Sequence, residues 1–438
     1  MTGTTIVTEE FRHTEIGALP REWGLATLGD LFHVQQGKAL SPKSRQGISP
    51  RPFLRTANVL WGHLDLSVVD QMDFSEDETV RLALQSGDLL VCEGGDIGRT
   101  AMWCLELPDC YYQNHIHRLR RKTDNVFPEY YMYWMQAALL LLDLYMGQAN
   151  RTTIPNLSGA RLKSFVVPVP PLTEQKKIAY VLSTVQTAIE KTEALIKTAR
   201  ELKKSLMKHL FTYGPVSVDE AENVPLKETA IGLVPESWDV VKLGDVVRTQ
   251  YGYTASACHN QVGPQFLRIT DIDDDGNVNW SAVPYCMVPT DDYHRFFLED
   301  GDTVVARIGA TTGKAYYVVN CPRSVFASYL LRLKVKDEDK VYPAFISAFT
   351  KSAAYWTQVN QSKGEKLKSG LSAKQLEQIL IPLPPFQIQK PSAIALSVID
   401  RKLEIERNKK AALQALFNTV LSNLTTGNIR VDNLEVPI

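Results

Sequence analysis

The apolar residues of the chain predict two kinds of element, short buried strands and long helices. Strands are indicated where an apolar run follows a Gly-Asp pair, at 88–92 and again at 302–306. Helices are indicated at 173–210 and near the C-terminus, where apolar residues recur at alternating spacings of three and four, as in a coiled-coil seam. We predict a seam made of Ile178, Val181, Val185, Leu195, Leu202, Leu206, Leu396, Ile399, Leu403, Leu413, Phe417, Val420 and Leu424.

The two predicted helices are expected to pair with each other, because either helix alone would expose a continuous apolar stripe. At 1.5 Å per residue, the first would be roughly 57 Å long. An antiparallel pair would place two globular parts at opposite ends, related by a pseudo-twofold axis. Glu406 and Lys410 interrupt the second stripe, where they either fix the register, as buried polar residues at such positions often do, or mark a stretch where the helices diverge. Pro391 belongs in the first turn of a helix, so the second helix is expected to begin a little after Ile388-Gln389-Lys390.

Two further patterns concern the globular parts. The most apolar stretch, Met132 to Met146, is too short to span a bilayer and predicts a buried helix. Proline clusters at 168–171 and 382–385 precede the two long helices. Since proline does not fit a helix interior, we interpret both clusters as linkers.

The sequence is a duplication. Ile16-Gly17-Ala18-Leu19-Pro20-Arg21-Glu22-Trp23 returns as Ile231-Gly232-Leu233-Val234-Pro235-Glu236-Ser237-Trp238, an offset of 238 − 23 = 215 residues. Leu-Gly-Asp, Phe-Leu-Arg, Gly-Asp, Leu-Ser and the proline clusters then recur in the same order. A period this long predicts two complete domains, each followed by its own helix, rather than a solenoid.

Composition adds limits on compartment and partners. The 438 residues are 44% hydrophobic and 22% charged with a formal net charge of −1, so a nucleic-acid binder of this kind must segregate its charge. The six cysteines include no CxxC pair and differ between the repeats, which favours neither a disulfide framework nor a zinc site. The N-terminus resembles no secretory signal. We expect a cytoplasmic protein with reduced thiols.

At this point the chain resembles the specificity subunit of type I restriction-modification systems, HsdS. The resemblance rests on the repeated opening at Ile16 and Ile231 and on the Pro-Pro joint at 170–171 with Glu174-Gln175. It also rests on the ending Leu424-Thr425-Thr426-Gly427-Asn428-Ile429-Arg430-Val431. It covers essentially the whole chain and is weakest at Ile388-Gln389-Lys390-Pro391, where the second helix is predicted to begin.

The resemblance implies an α+β protein, with two similar α/β target recognition domains separated by two long antiparallel coiled-coil helices. The expected segments are 1–170 and 214–384 for the recognition domains, with spacer helices at 171–213 and 385–438. Each domain would read one half of a bipartite double-stranded DNA target, while the helices set the spacing and dock two methylation subunits. A domain separation of roughly 40 to 60 Å would suit half-sites about one helical turn apart.

The same resemblance implies that the chain has no catalytic, cofactor or metal site. S-adenosylmethionine, ATP and magnesium are expected only in partner subunits, and restriction subunits would join the complex later.

Enzymatic alternatives find little support in the residues. Gly309-Ala310-Thr311-Thr312-Gly313-Lys314-Ala315 is one residue short of a P-loop and lacks its final hydroxyl. An amino-methyltransferase needs a polar residue before Pro-Pro-aromatic, where Leu383 stands. His115 and His117 would share one face of a strand, but no third metal ligand has suitable spacing. Two alternatives stay open: a self-contained DNA-modifying enzyme, methyltransferase or nuclease, and a coiled-coil scaffold with no DNA role.

A DNA reader needs basic and amide side chains on loops held against DNA, where phosphate contacts supply affinity and base-edge contacts supply sequence choice. Positions that differ between the repeats are the better specificity candidates, because unlike half-sites need unlike contacts. Arg55 and Arg268 lie in a shared segment and could equally form structural ion pairs. The candidate DNA-binding residues are Gln36, Lys38, Arg55, Asn58, Arg99, Gln113, Asn114, His115, Asn150, Arg151, Tyr251, Tyr253, Arg268, Asp271, Arg307, Lys314, Ser328, Tyr329, Lys363 and Lys366.

Overall fold

The computed structural model describes residues 11–144, 157–288, 294–363, 370–431 and 434–436. The chain divides into two compact units, one formed by 1–193 with 408–438 and the other by 194–407. Both boundaries fall inside long helices, so each unit contains a part of each helix. The division into four segments at 170, 213 and 384 stays a prediction.

The first unit is a mixed α/β body. Its main sheet is antiparallel with the order β4-β10-β7-β8, and a second sheet has the order β6-β5-β9. Its strands are β1 Phe11–Thr14, β2 Gly17–Pro20, β3 Gly24–Thr27, β4 Phe32–Gln36, β5 Pro50–Leu54, β6 Asp70–Asp73, β7 Leu89–Cys92, β8 Thr100–Met102, β9 Tyr111–Tyr112, β10 Ile116–Arg121 and β11 Val166–Val169. Its helices are α1 Leu28–Leu31, α2 Glu76–Leu82, α3 Pro128–Leu140, α4 Gly159–Lys163 and the first part of α5 Leu172–Tyr213.

The second unit repeats this plan. Its main sheet has the order β15-β20-β17-β18, and β16 pairs with β19 in parallel, as β5 pairs with β9. The strands are β12 Leu226–Thr229, β13 Gly232–Pro235, β14 Asp239–Lys242, β15 Val247–Tyr251, β16 Gln265–Leu267, β17 Thr303–Ala306, β18 Ala315–Tyr317, β19 Ser324–Phe326, β20 Leu330–Val335 and β21 Leu380–Leu383. The helices are α6 Leu243–Val246, α7 Pro343–Phe349, α8 Ala353–Lys363, α9 Ala373–Glu377, the part of α5 from residue 194 onwards and the part of α10 Phe386–Thr425 up to residue 407.

The repeated sequence motifs build the same local structures in both units. Gly17 and Gly232 have φ of 111° and 103° at the turns of the β1-β2 and β12-β13 hairpins, where a side chain would strain the backbone. The tryptophan that ends the motif is buried in each unit. In the Gly-Asp turns, Asp88 Oδ2 accepts a hydrogen bond from Gln85 N at 2.7 Å, and Asp302 Oδ2 accepts one from Glu299 N at 3.0 Å. These shared residues therefore maintain the fold.

The predicted buried elements are confirmed, but the predicted linkers are wrong. β7 and β17 are buried throughout, and α3 buries most of its residues. α3 is, however, earlier in the chain than the predicted stretch from Met132 to Met146, since it covers Pro128–Leu140, and Leu140 and Leu141 are exposed. The proline clusters, however, lie partly in strands, since β11 pairs with β3 and β21 pairs with β14. Pro168 and Pro382 fit because these sheets have two strands each, and an edge strand tolerates the missing N–H.

Within each unit the long helices pack antiparallel. In the first unit, Ile178, Leu182 and Ile189 of α5 share one core with the α10 residues Phe417, Leu421 and Leu424, and Lys410 Nζ lies 2.5 Å from Glu193 Oε1. In the second unit, Met207 and Leu210 of α5 share a core with Leu396 of α10, and Lys203 forms an ion pair with Asp400. In these contacts the residue numbers increase along α5 while they decrease along α10, so the two helices run antiparallel, as predicted.

The predicted seam is right for α10 but one residue out of phase for part of α5. Leu396, Leu403, Phe417 and Leu424 are buried, whereas Leu195 and Leu202 are 50% and 58% exposed. α5 offers two adjacent apolar stripes of three-four spacing, and after Ile178 the tertiary packing mainly buries the stripe displaced by one residue, with Ile196 buried instead of Leu195. The buried residues of this face are Ile178, which the prediction included, and Leu182, Ile189, Thr192, Ile196, Met207 and Leu210.

The expectations for Glu406 and Pro391 of the second helix have separate outcomes. Glu406 is buried within the seam, with Oε1 2.5 Å from Lys402 Nζ. Pro391 lies inside α10, which begins at Phe386, so the expected later start is wrong. The buried amide of Gln389 fixes that start, because it donates to Pro384 O at 2.9 Å and accepts from Tyr342 N at 2.8 Å. These bonds outweigh the one helical hydrogen bond that proline lacks.

The fold class is therefore confirmed: two similar α/β bodies repeat within one chain, with two long helices that pair antiparallel in each.

Candidate nucleic-acid interface

Three loops meet at one edge of the main sheet of the first unit. They are 36–38 after β4, 93–99 after β7 and 113–115 before β10. Asn114 N donates to Lys38 O at 2.8 Å, and Glu93 N donates to His115 O at 2.8 Å. The sheet brings together candidates that lie far apart in sequence: Gln36, Lys38, Gln113, Asn114 and His115.

The second unit builds the same loop cluster from 251–253, 307–314 and 327–329. Ser328 N donates to Tyr253 O at 2.8 Å, and Arg307 N donates to Tyr329 O at 3.0 Å, which match the two bonds of the first unit. Leu157 N to Glu93 O at 2.9 Å likewise corresponds to Leu371 N to Arg307 O at 2.7 Å. Tyr251, Tyr253, Arg307, Ser328 and Tyr329 therefore lie in one cluster.

In each cluster the loops approach so closely at one position that only glycine fits there. A Cβ on Gly37 would lie 2.3 Å from Gln113 O, and one on Gly252 would lie 2.1 Å from Ala327 O. Real Cβ atoms do not approach a carbonyl oxygen so closely, so the loops can meet only where this residue has no side chain. The shared Gly in the otherwise different sequences Gln36-Gly37-Lys38 and Tyr251-Gly252-Tyr253 thus has a steric cause.

On this common backbone, equivalent positions carry different chemistry. In the first unit, the exposed Gln36 donates from Nε2 to Glu93 Oε2 at 2.9 Å and to Asn114 O at 3.0 Å. In the second unit, the Arg307 guanidinium lies 5.0 Å from the ring centroid of Tyr251. Tyr251 Oη accepts a hydrogen bond from Ala373 N at 3.1 Å, which fixes that ring. A glutamine-glutamate pair is thereby replaced by a tyrosine-arginine pair.

A second group of candidates belongs to a turn that both units share. Asn58 is buried, accepts from Arg55 N at 2.9 Å and donates to Asp65 O and Val68 O at 2.8 Å. Asp271 accepts from Arg268 N at 2.8 Å and forms an ion pair with its guanidinium at 2.7 Å. Arg55 Nε lies 3.1 Å from Asp70 Oδ2. These contacts favour the structural interpretation of this turn.

Several basic candidates are engaged within their own unit. Lys38 forms an ion pair with Glu78 and lies 5.1 Å from the Phe74 ring centroid. Arg99 Nη2 donates to Thr56 O at 2.9 Å. Lys314 Nζ lies 2.7 Å from Asp274 Oδ1, which is fully exposed. A phosphate would have to displace an acidic partner from Lys38 or Lys314.

The two histidines do not share a strand face, so that expectation is wrong. His115 is exposed in the turn before β10, while His117 is buried within it. His117 Nε2 lies 3.1 Å from Leu157 O, and burial lowers the pKa of this imidazole, although the carboxylate of Glu93 opposes the shift. Burial also raises the pKa of the neighbouring Cys92 thiol to about 11. His117 is therefore a buried residue that contacts the backbone at Leu157, whereas His115 is exposed.

Some candidates cannot be placed. Asn150, Arg151 and Lys366 lie outside the described residues, as does the side chain of Lys363. Conversely, Glu93 was not among the predicted residues, although it occupies the position of Arg307. The 214-residue offset between them is a signal that could have identified it.

Three further features of the described ranges concern thiols, metal ligands and membrane helices. The six cysteines are free thiols. Those ranges contain no cluster of three or more histidine, cysteine or acidic residues that could hold a metal ion. None of their helices is both long and apolar enough to cross a membrane.

Comparison with known proteins decides the family. Residues 20–199 and 235–415 each match the family described as the type I restriction modification DNA specificity domain. The chain belongs to this family. Among its relatives, the type I restriction enzyme MjaVIII specificity subunit of Methanocaldococcus jannaschii is 25% identical over 447 residues, covering 98% of this chain and 97% of that one. The EcoKI specificity subunit of Escherichia coli K12 is 22% identical, covering 96% and 88%.

The fold of this family member agrees with a solved structure. The crystal structure of a type I restriction-modification system S subunit from M. genitalium matches it with a TM-score of 0.60 at 16% identity, covering 97% of this chain and 99% of that one. Each of the two matched ranges, 20–199 and 235–415, includes the loop cluster of its own unit.

Proposed function

We propose that the chain is the DNA-reading specificity subunit of a type I restriction-modification complex, with each loop cluster reading one half of a bipartite target. The supporting observation is that one backbone arrangement occurs twice with different side chains at its surface. A structural motif would keep its side chains as well as its backbone, as the Gly-Asp turns do. Two readers of unlike half-sites need a common scaffold and unlike contacts.

The long helices are proposed to set the distance between the half-sites and to dock methylation subunits. Leu195, Leu202, Val398 and Ile405 of the second unit are all at least half exposed, although they lie on helices whose other faces are buried. Exposed aliphatic side chains on paired helices suit a partner that adds its own helices. Two methylation subunits, one for each repeat, and further restriction subunits form the proposed assembly.

The proposed role is recognition without catalysis. S-adenosylmethionine, ATP and magnesium would act in the partner subunits, where the methyl transfer and cleavage take place. Incubating the purified chain alone with DNA and labelled S-adenosylmethionine tests this assignment. Label on the DNA would support the alternative of a self-contained methyltransferase.

The decisive test maps methylated sites in a host that carries this chain and its methylation partner. A two-part motif with an unread gap is expected. Inserting seven residues into α5 after Ala194 and seven into α10 after Arg407 would keep the phase of the seam and add about 10 Å of helix. The gap should then grow by about three base pairs at 3.4 Å each, with both half-sites unchanged. Altered half-sites with the same gap would contradict the spacing role.

A further inference from the structure

The two loop clusters present opposite hydrogen-bonding polarity from equivalent pairs of positions. In the first unit the pair is Gln36 with Glu93, which accepts a hydrogen bond from the Gln36 amide, and in the second it is Tyr251 with Arg307, whose guanidinium lies over the tyrosine ring. Each pair is defined by contacts within its own unit.

Gln36 offers an acceptor and no donor. Its two amide hydrogens are engaged by Glu93 Oε2 and Asn114 O, at 2.9 and 3.0 Å from Nε2. No described residue donates to Gln36 Oε1. The amide cannot usefully flip, because that would turn its oxygen towards a carboxylate and a carbonyl, both of which only accept. An exposed carbonyl oxygen with a carboxylate behind it matches a base that carries an amino group.

Arg307 offers donors and no acceptor. Its Nε is buried, and no described residue accepts a hydrogen bond from its guanidinium. The ring of Tyr251 supports one face of that group at 5.0 Å and is itself held by Ala373 N. A pre-positioned guanidinium is the group that best matches the paired O6 and N7 acceptors of guanine.

We infer that 36 with 93, and 251 with 307, are equivalent specificity-determining pairs: the first selects adenine or cytosine through its major-groove amino group, and the second selects guanine. The inference rests on the proposed function, since it presumes that these loops face DNA. It assigns Glu93 as a positioning residue, which acts by fixing the amide of Gln36.

Base analogues test the inference on the unaltered protein. The complex of this chain with its methylation subunits is bound to its mapped target, in which single bases are replaced. Purine replaces each adenine and pyrimidin-2-one each cytosine of the first half, to remove the amino group, and 7-deazaguanine replaces each guanine of the second half, to remove N7. One position in each half should lose affinity on the order of 10-fold.

Protein variants then show whether the named residues make those contacts. Gln36→Ala should abolish the effect of the amino deletion at its position, and Arg307→Ala should abolish that of 7-deazaguanine. Glu93→Gln should weaken the discrimination that Gln36 provides. A glutamine at position 93 can turn either its oxygen or its nitrogen towards Gln36, so the orientation of the Gln36 amide is no longer fixed. His33→Ala and Arg248→Ala are matched controls: both residues are exposed, occupy equivalent strand positions, and should leave every analogue effect unchanged.

Exchange of the pairs gives an independent readout. Gln36→Tyr with Glu93→Arg should change one base of the first half of the methylation motif to guanine and leave the second half intact. If the exchanged protein does not assemble, the analogue measurements on the unaltered complex still decide the question. If a methylation motif is mapped but none of these variants changes the effect of a base analogue, the inference is overturned and the proposed function stands. If the complex shows no sequence-dependent binding, the proposed function itself is overturned.

Discussion

The indole N–H of Trp23 donates a hydrogen bond to Glu174 Oε2 at 2.8 Å, and both side chains are buried. Arg430 Nε donates to the other oxygen of the same carboxylate at 2.7 Å. One carboxylate of the first unit thus joins the opening hairpin, the start of α5 and the segment that follows α10. The second unit has Ile388 at the position of Glu174, and an isoleucine side chain cannot accept these hydrogen bonds.

Arg430→Met should destabilise the first unit, because it leaves Glu174 buried without its cationic partner. We expect a loss of about 2 to 4 kcal/mol in the free energy of unfolding, below the usual range for a buried pair because Arg430 is itself 31% exposed. Urea denaturation measures it. Adding Glu174→Gln should recover part of the loss by removing the charge, and Arg401→Met, at an exposed position of α10, is the control. Equal free energies of unfolding for the unaltered protein and Arg430→Met would show that the ion pair contributes nothing to stability.

Gln175→Ala and Gln389→Ala should destabilise the starts of the two helices to a similar extent. Gln175 accepts from Phe127 N at 2.8 Å and donates to Pro170 O at 2.8 Å, in the same way as Gln389 bonds Tyr342 N and Pro384 O. Each truncation leaves buried backbone groups unsatisfied, at about 1 to 3 kcal/mol each. Thermal unfolding of each variant provides the measurement. A loss confined to one helix would contradict the equivalence.

His117→Leu should make stability less dependent on pH in the acid range. Burial lowers the pKa of His117 below its usual 6.5, so as the pH falls the unfolded chain binds a proton before the folded one does. Stability is therefore full above about pH 6.5 and declines as the pH falls towards the folded pKa. Leucine suits the site because Leu331, its equivalent, is buried in the second unit. Unfolding free energies at several pH values, with His33→Leu as control, should show a shallower slope for His117→Leu alone.

Ile196→Ala and Leu195→Ala should separate the two stripes of α5. Ile196 is 7% exposed and Leu195 is 50% exposed, although the residues are neighbours of similar size. We expect Ile196→Ala to cost about 2 to 4 kcal/mol and Leu195→Ala less than about 1 kcal/mol in the isolated chain. Chemical denaturation compares them directly. The reverse order would restore the seam predicted from spacing.

Gly37→Ala should impair recognition of the first half-site and spare the second, and Gly252→Ala should do the converse. The added Cβ would lie 2.3 or 2.1 Å from a backbone oxygen, so the loop must move away from the one beneath it. Binding of the assembled complex to targets with one half-site scrambled measures each half separately. Each variant is the control for the other, and a uniform loss on both halves would point to a general folding defect.

Much of the fold could be predicted because local spacing and repetition carry it. Continuous apolar runs after Gly-Asp turns gave β7 and β17, and the three-four spacing gave both long helices. The residues of the candidate site were harder to predict, because their contacts are with residues that are distant in sequence. Glu93 looks like an ordinary loop residue until the sheet brings it to Gln36, and Asn58 looks like a surface amide until its turn closes around it.

The sequence by itself determined that two similar bodies exist, which elements they contain and which residues could lie on a common face, because these depend on neighbouring residues and on the repeat. The tertiary structure alone decided which stripe of α5 is buried, that Pro391 lies within a helix, and which side chains of the loop clusters meet. Those outcomes depend on partners that are distant in sequence, whose packing and hydrogen bonds outweigh local preference.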